Sequence, residues 1–176
     1  MHDSKIQKLV MAALFAALTT VMTMVIRVPS PMGGYVNLGD CAVLLSAWIL
    51  GPIYGSAAAG IGSMLADLIG YPLYAPGTLA IKAAMAWVSA VLFQKLRHGR
   101  VSQTPSLVIS GLIGELIMVG GYFLYESLEL PFFMGMGLGA AANIPFNTVQ
   151  GIFGLVSSAV AYHLILQRFA STIFEK

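Results

Sequence analysis

The sequence predicts an all-α integral membrane protein: one domain over residues 1–176, a six-transmembrane-helix bundle with both termini cytoplasmic. Three observations carry this. Of the residues, 58% are hydrophobic and only 9% charged, with a mean hydropathy of +0.85, a composition that water does not support. A spanning helix needs about 20 mostly apolar residues, so six spans and their connections use the whole chain. The basic residues also segregate: Lys5 and Lys8, then Lys95, Arg97 and Arg100, then Arg168 and Lys176 fall on one side of the expected topology, and the other side holds only Arg27. That is the positive-inside pattern.

The apolar runs and their Gly/Pro punctuation set the spans at residues 6–26, 38–50, 53–69, 78–96, 107–124 and 141–169. The basic start and apolar run of the first segment also describe a signal peptide, but the run is too long for one and ends at Arg27-Val28-Pro29 without a small-residue cleavage pattern. It is read as the first span. Residues 38–69 are too long for one crossing, and a tight hairpin is expected at Gly51-Pro52-Ile53-Tyr54-Gly55. The outer loops, residues 27–37, 70–77 and 125–139, then hold Glu126, Glu129 and most of the prolines and tyrosines.

Ionisable groups within spans cost several kcal/mol and mark function by default. Asp40, Asp67, Glu115 and Lys82 are such groups, all expected in the outer half or at the midplane. Asp40 and Asp67 also fit the interface, where a carboxylate is cheap. Lys82 and Glu115 also fit a buried structural pair, and in either role they are expected close together. Spacings of four and three place Asn143, Asn147 and Gln150 on one helical face at the same depth. Asn143 equally suits a helix cap before Pro145, and the two deeper amides equally suit interhelical bonding. Tyr35 and Asn37 in the first outer loop, Tyr74 in the second and Tyr122 on the fifth span complete a candidate substrate-binding set, since tyrosines suit stacking on a flat ring as well as interfacial anchoring.

In the first span Ala12/Ala16 and Ala13/Ala17 are overlapping small-xxx-small pairs, which allow close helix approach to a partner or within the bundle. Cys41 is the only cysteine, so no disulfide or multi-thiolate metal site forms within one copy. No phosphate-binding loop, metalloprotease helix or nucleophile elbow occurs. No enzyme activity, cofactor, metal or nucleic-acid partner is expected, and the partner on composition alone is membrane lipid.

The chain resembles the S component, the substrate-binding subunit, of an energy-coupling factor (ECF) vitamin transporter, in the riboflavin-transporter-like group. The resemblance covers nearly the whole chain. It rests on the Ala-rich first span, Gly34-Tyr35-Val36-Asn37-Leu38-Gly39-Asp40, Leu50-Gly51-Pro52-Ile53-Tyr54-Gly55, Ala66-Asp67-Leu68, Tyr74-Ala75-Pro76, Ile81-Lys82-Ala83-Ala84-Met85, Gly114-Glu115, Gly121-Tyr122-Phe123 and Asn143-Ile144-Pro145-Phe146-Asn147 with Gln150. It implies capture of a micronutrient from outside by the outer loops and the outer halves of the later spans. It further implies docking through Ala12, Ala13, Ala16 and Ala17 on a transmembrane coupling subunit driven by two cytoplasmic ATPase subunits, in a bacterial plasma membrane. The substrates it suggests are pyridoxine or hydroxymethylpyrimidine first and riboflavin next. Two other readings of the same residues stay open: a self-sufficient proton-coupled transporter with Glu115 and Lys82 as its relay, and a membrane scaffold without a small ligand.

Overall fold

The structure is a computed structural model and describes residues 2–31, 33–129 and 133–166. Five helices in it are long and apolar enough to cross a membrane. Helix α1 (His2–Val25) is followed by a short antiparallel hairpin, β1 (Arg27–Pro29) and β2 (Tyr35–Asn37). Then come α2 (Gly39–Gly70), α3 (Ala75–His98) and α4 (Gln103–Ser127). A 3-10 helix (Gly137–Asn143) leads into α5 (Ile144–Ala161), which ends in a wider π turn (Tyr162–Leu166). The last residues of the expected sixth span, 167–169, and the basic Arg168 and Lys176 lie outside the described residues.

Helix α2 folds back on itself. Gly51 has φ 78° and ψ −175°, in the region that side chains avoid, and Pro52 then starts the second arm without needing an amide hydrogen. Ser46 Oγ lies 3.1 Å from Gly55 O, whereas nine residues along an unbroken helix would span about 13.5 Å. The turn is thus tighter than the five-residue hairpin expected, a single residue where glycine is required. Both ends of α2 return to the end of α1: the Thr23 side chain crowds Gly39, and Arg27 Nη2 donates to Ala66 O at 2.9 Å.

The first arm of α2 is buried on every side from Gly39 to Gly51, which suits its uninterrupted apolar character. It forms the axis of the bundle, and α2 packs against α1, α3 and α5. Leu44, Met85, Leu107 and Met118 are among the fully buried side chains of the core. The outer faces of the surrounding helices are apolar in turn: Leu9, Val21, Leu116, Ile152 and Phe153 are all exposed. An apolar exterior around an apolar core is the surface of a protein whose solvent is lipid.

Hairpin β1–β2 occupies the segment expected as the first outer loop, and pairs Arg27 with Asn37, Val28 with Val36 and Pro29 with Tyr35. Its turn contains Gly33 and Gly34 at φ 89° and 76°. A side chain on Gly34 would stand 3.1 Å from the Tyr74 hydroxyl, so the bare backbone here lets the hairpin lie directly on that ring.

Candidate functional site

One end of the bundle gathers most of the buried polar groups. The residues that start α2 and α3 and end α1, the second arm of α2 and α4 meet there, under the β-hairpin. At the opposite end lie Gly51, next to Gln94, and Thr104, hydrogen-bonded to His163 at 3.1 Å.

Lys82, on the first turns of α3, makes an ion pair and a hydrogen bond with Asp40 of α2. The two side chains are 3% and 0% exposed. Gln150 of α5 completes the unit: its Nε2 donates to Asp40 Oδ2 at 2.6 Å, and its Oε1 accepts from the Asn37 backbone amide at 2.8 Å. A charge pair taken out of water is tolerated only when its remaining oxygens and protons are satisfied, and Gln150 does this while tying α5 to β2. The expected pairing of Lys82 with Glu115 is corrected here, because Asp40 stands at the start of the buried arm of α2, directly across from Lys82. Asp40 is not an interfacial carboxylate either.

Asp67, near the end of α2, accepts a hydrogen bond from the Tyr35 hydroxyl. Burial first, then the neighbouring Asp67, push the Tyr35 pKa up, so Tyr35 keeps its proton and acts as a donor throughout the physiological range. Arg27 stacks over the rings of Tyr35 and Tyr71, at 4.8 and 5.8 Å from their centroids. Tyr74, just before α3, donates to Glu126 Oε1 at 3.3 Å, and Asn143 Nδ2 donates to Glu126 Oε2 at 3.0 Å. Burial and then Glu126 raise the Tyr74 pKa as well. The capping role open to Asn143 is not the one it takes: its side chain makes no cap hydrogen bond to α5 and instead holds Glu126 and, at 3.3 Å, Gly33 O. The Thr78 and Tyr122 hydroxyls are 2.9 Å apart, and Lys82 Nζ stands 5.5 Å from the Tyr122 ring centroid.

These groups surround a cavity. Eight of the eleven expected residues line it: Tyr35, Asn37, Asp67, Tyr74, Lys82, Tyr122, Asn147 and Gln150. Asp40 and Asn143 stand one layer behind, holding Lys82, Gln150 and Glu126. Glu115 does not line the cavity but stands beside Asp40, since a carbon added to Gly154 would touch both side chains. It is 5% exposed, its oxygens have no hydrogen-bond partner among the described residues, and it lies against Gly151 and Gly154 in a cleft walled by Leu112, Leu116, Val119, Ile152 and Leu155. The lining also includes Thr23, Ser30, Ser63, Thr78 and Glu126, none of them expected. Hydroxyl residues are too common in spans to stand out in a sequence, but Glu126 carried a usable signal, because it follows Tyr122 by one helical turn. The cavity is narrow, with room for about one or two waters. A ring enters only if lining side chains or the hairpin move.

The four alanines of the first span divide. Ala12 is buried, and the backbone of Ala16 packs on Gly62 of α2, where Thr20 Oγ1 donates to Gly62 O at 2.8 Å. Ala13 and Ala17 face outward. The inner pair is therefore internal packing, and only the outer pair is open to a partner.

Apolar helices around a polar cavity at one end define a membrane-embedded binding bundle. The comparisons place this bundle among known proteins. A family model described as "ECF-type riboflavin transporter, S component" matches residues 3–168, and the chain belongs to that family. It is an S component, a substrate-binding subunit of a transporter and not an enzyme. It is 32% identical over 154 residues to an uncharacterized protein of Pyrococcus woesei, covering 85% of this chain and 95% of that one. It is 27% identical over 168 residues to the thiamine precursor transporter HmpT of Lactococcus lactis subsp. cremoris, covering 94% and 91%. Among solved structures, the S component for biotin from an ECF-type ABC transporter superposes with a TM-score of 0.66 at 16% identity, over 93% of each chain. An S component of a bacterial ECF transporter does so with 0.64 at 18% identity, over 97% of this chain and 99% of that one. At these identities the two structures speak for the fold.

Proposed function

We propose that the chain captures a single-ring heteroaromatic vitamin or precursor, of the hydroxymethylpyrimidine or pyridoxine class, from outside the cell. The observation that carries this is the cavity lining: Lys82, Asp67, Asn147, Gln150 and the tyrosines Tyr35, Tyr74 and Tyr122 bring together the aromatic faces, donors and acceptors that suit a flat ring with polar edges. The relationship to a thiamine precursor transporter favours one ring over the three fused rings of riboflavin. The molecule would span the membrane six times, the two arms of α2 counting separately, as one domain with both termini cytoplasmic in a bacterial plasma membrane. On that topology the cavity faces outward beneath the hairpin.

The exposed pair Ala13 and Ala17 would dock on a transmembrane coupling subunit driven by two ATPase subunits. The proton-relay alternative is less favoured, because Lys82 is paired with Asp40 and not with Glu115. Binding in detergent tests the reading: hydroxymethylpyrimidine or pyridoxine should bind more tightly than riboflavin, and Asn147→Ala should weaken the preferred ring about tenfold or more, the loss of one or two buried hydrogen bonds. Tight binding of riboflavin alone would contradict it.

A further inference from the structure

We infer that this cavity, read as the ring site above, accepts a ring bearing an amino group or a protonated nitrogen and rejects its phosphorylated or carboxylated forms. Two acids, Asp67 and Glu126, line it. Lys82 is the one cation among the described lining residues, and its charge is already matched by Asp40. Arg27 does not line the cavity: it is held by the carbonyl oxygens of Thr23 and Ala66 and by the faces of Tyr35 and Tyr71. An anionic substituent would therefore leave water for a cavity lined by two acids, whose one lining cation is already paired. That is the environment in which a charge is least tolerated, whereas a donor on the ring would find acceptors waiting.

A second observation points to a ligand with hydrogen-bonding edges. Thr23 Oγ1 and Ser63 Oγ have no hydrogen-bond partner among the described residues, although Thr23 is 3% and Ser63 2% exposed, and both residues line the cavity. Buried hydroxyls without partners are rare enough to require an explanation. Here they supply two groups able to accept from an amino group or donate to a ring nitrogen, on a wall made by α1 and the second arm of α2. The site rejects the wrong form by repulsion as well as selecting the right one by contact.

The test is calorimetric titration of the purified full chain in detergent with hydroxymethylpyrimidine, pyridoxine and the phosphate ester of each. The free ring should bind at least a hundredfold more tightly than its ester. Asp67→Asn should weaken the free ring at least tenfold and narrow the gap to the ester, and Glu126→Gln carries the same test if Asp67→Asn does not fold. Thr23→Val with Ser63→Ala should cost the free ring tenfold or more while leaving the melting temperature of the ligand-free protein unchanged. An ester that binds as tightly as its free ring overturns the inference and leaves the ring-binding reading standing. Absence of binding by every probe overturns both.

Discussion

Asp40 and Lys82 are worth most to each other. With Lys82→Met, Asp40 is left as an uncompensated buried carboxylate, a change that costs about 3–5 kcal/mol; thermal melting of the ligand-free protein should show a large loss. The double variant Asp40→Asn with Lys82→Met should recover most of it, since a buried pair replaced as a unit is often nearly neutral. A double variant no better than the single would show that Lys82 acts on something other than Asp40. Much of this layer was legible in the sequence. A lysine within a span announces itself, and the spacing of Asn143, Asn147 and Gln150 sets a polar face before any coordinates are known. What the residues could not say is who pairs with whom. Lys82 meets Asp40 rather than Glu115 because the buried arm of α2 lies between α3 and α5, and that position follows from how the hairpin at Gly51 packs. Thr23 and Ser63 are not legible in the sequence for a plainer reason: single hydroxyls in apolar helices usually bond back to their own helix, as Thr19 does to Phe15 O at 2.8 Å.

At the scale of elements, the turn in α2 is the feature on which the site depends, since it brings Gly39 and Gly70 to the same end of the bundle. Gly51→Ala would force a side chain into a positive φ and toward Gln94 Nε2, 3.1 Å away. It should cost about 1–2 kcal/mol. Gly120→Ala, inside α4 with nothing within 4 Å of the added carbon, should be neutral or stabilise by about 0.5–1 kcal/mol. Equal melting temperatures for the two variants would contradict this account of the turn. The Gly51-Pro52 pair was readable as a break, and the length of the apolar run required one. The β-hairpin was not readable, because three-residue strands separated by Ser, Pro and Gly carry too short an alternation to register. Its order comes from contacts distant in sequence: Gln150 on Asn37, Asp67 on Tyr35 and Tyr74 beneath Gly34.

For the whole molecule, hydropathy and charge segregation are enough to assign a helical membrane bundle, because lipid leaves a chain so few ways to satisfy its backbone. Function at this scale depends on surfaces whose use a sequence leaves ambiguous, and the first helix shows why. Its four alanines look equivalent in one dimension, yet two pack on α2 and two face outward. Ala16→Trp should therefore lower the melting temperature of the isolated protein. Ala13→Trp should leave both melting and ligand affinity intact while abolishing co-purification with the coupling subunit. The reverse pattern would mean that docking uses another face.

The central claim is that the cavity beneath the hairpin holds a single-ring heteroaromatic compound. The most direct measurement is to purify the protein in mild detergent from cells grown in rich medium, denature it, and identify the released small molecule by mass spectrometry. The account predicts one pyrimidine- or pyridine-type ring per chain, lost from the Asn147→Ala variant. A stoichiometric flavin, or a protein that releases nothing and shows no thermal response to any ring in the panel, would contradict it.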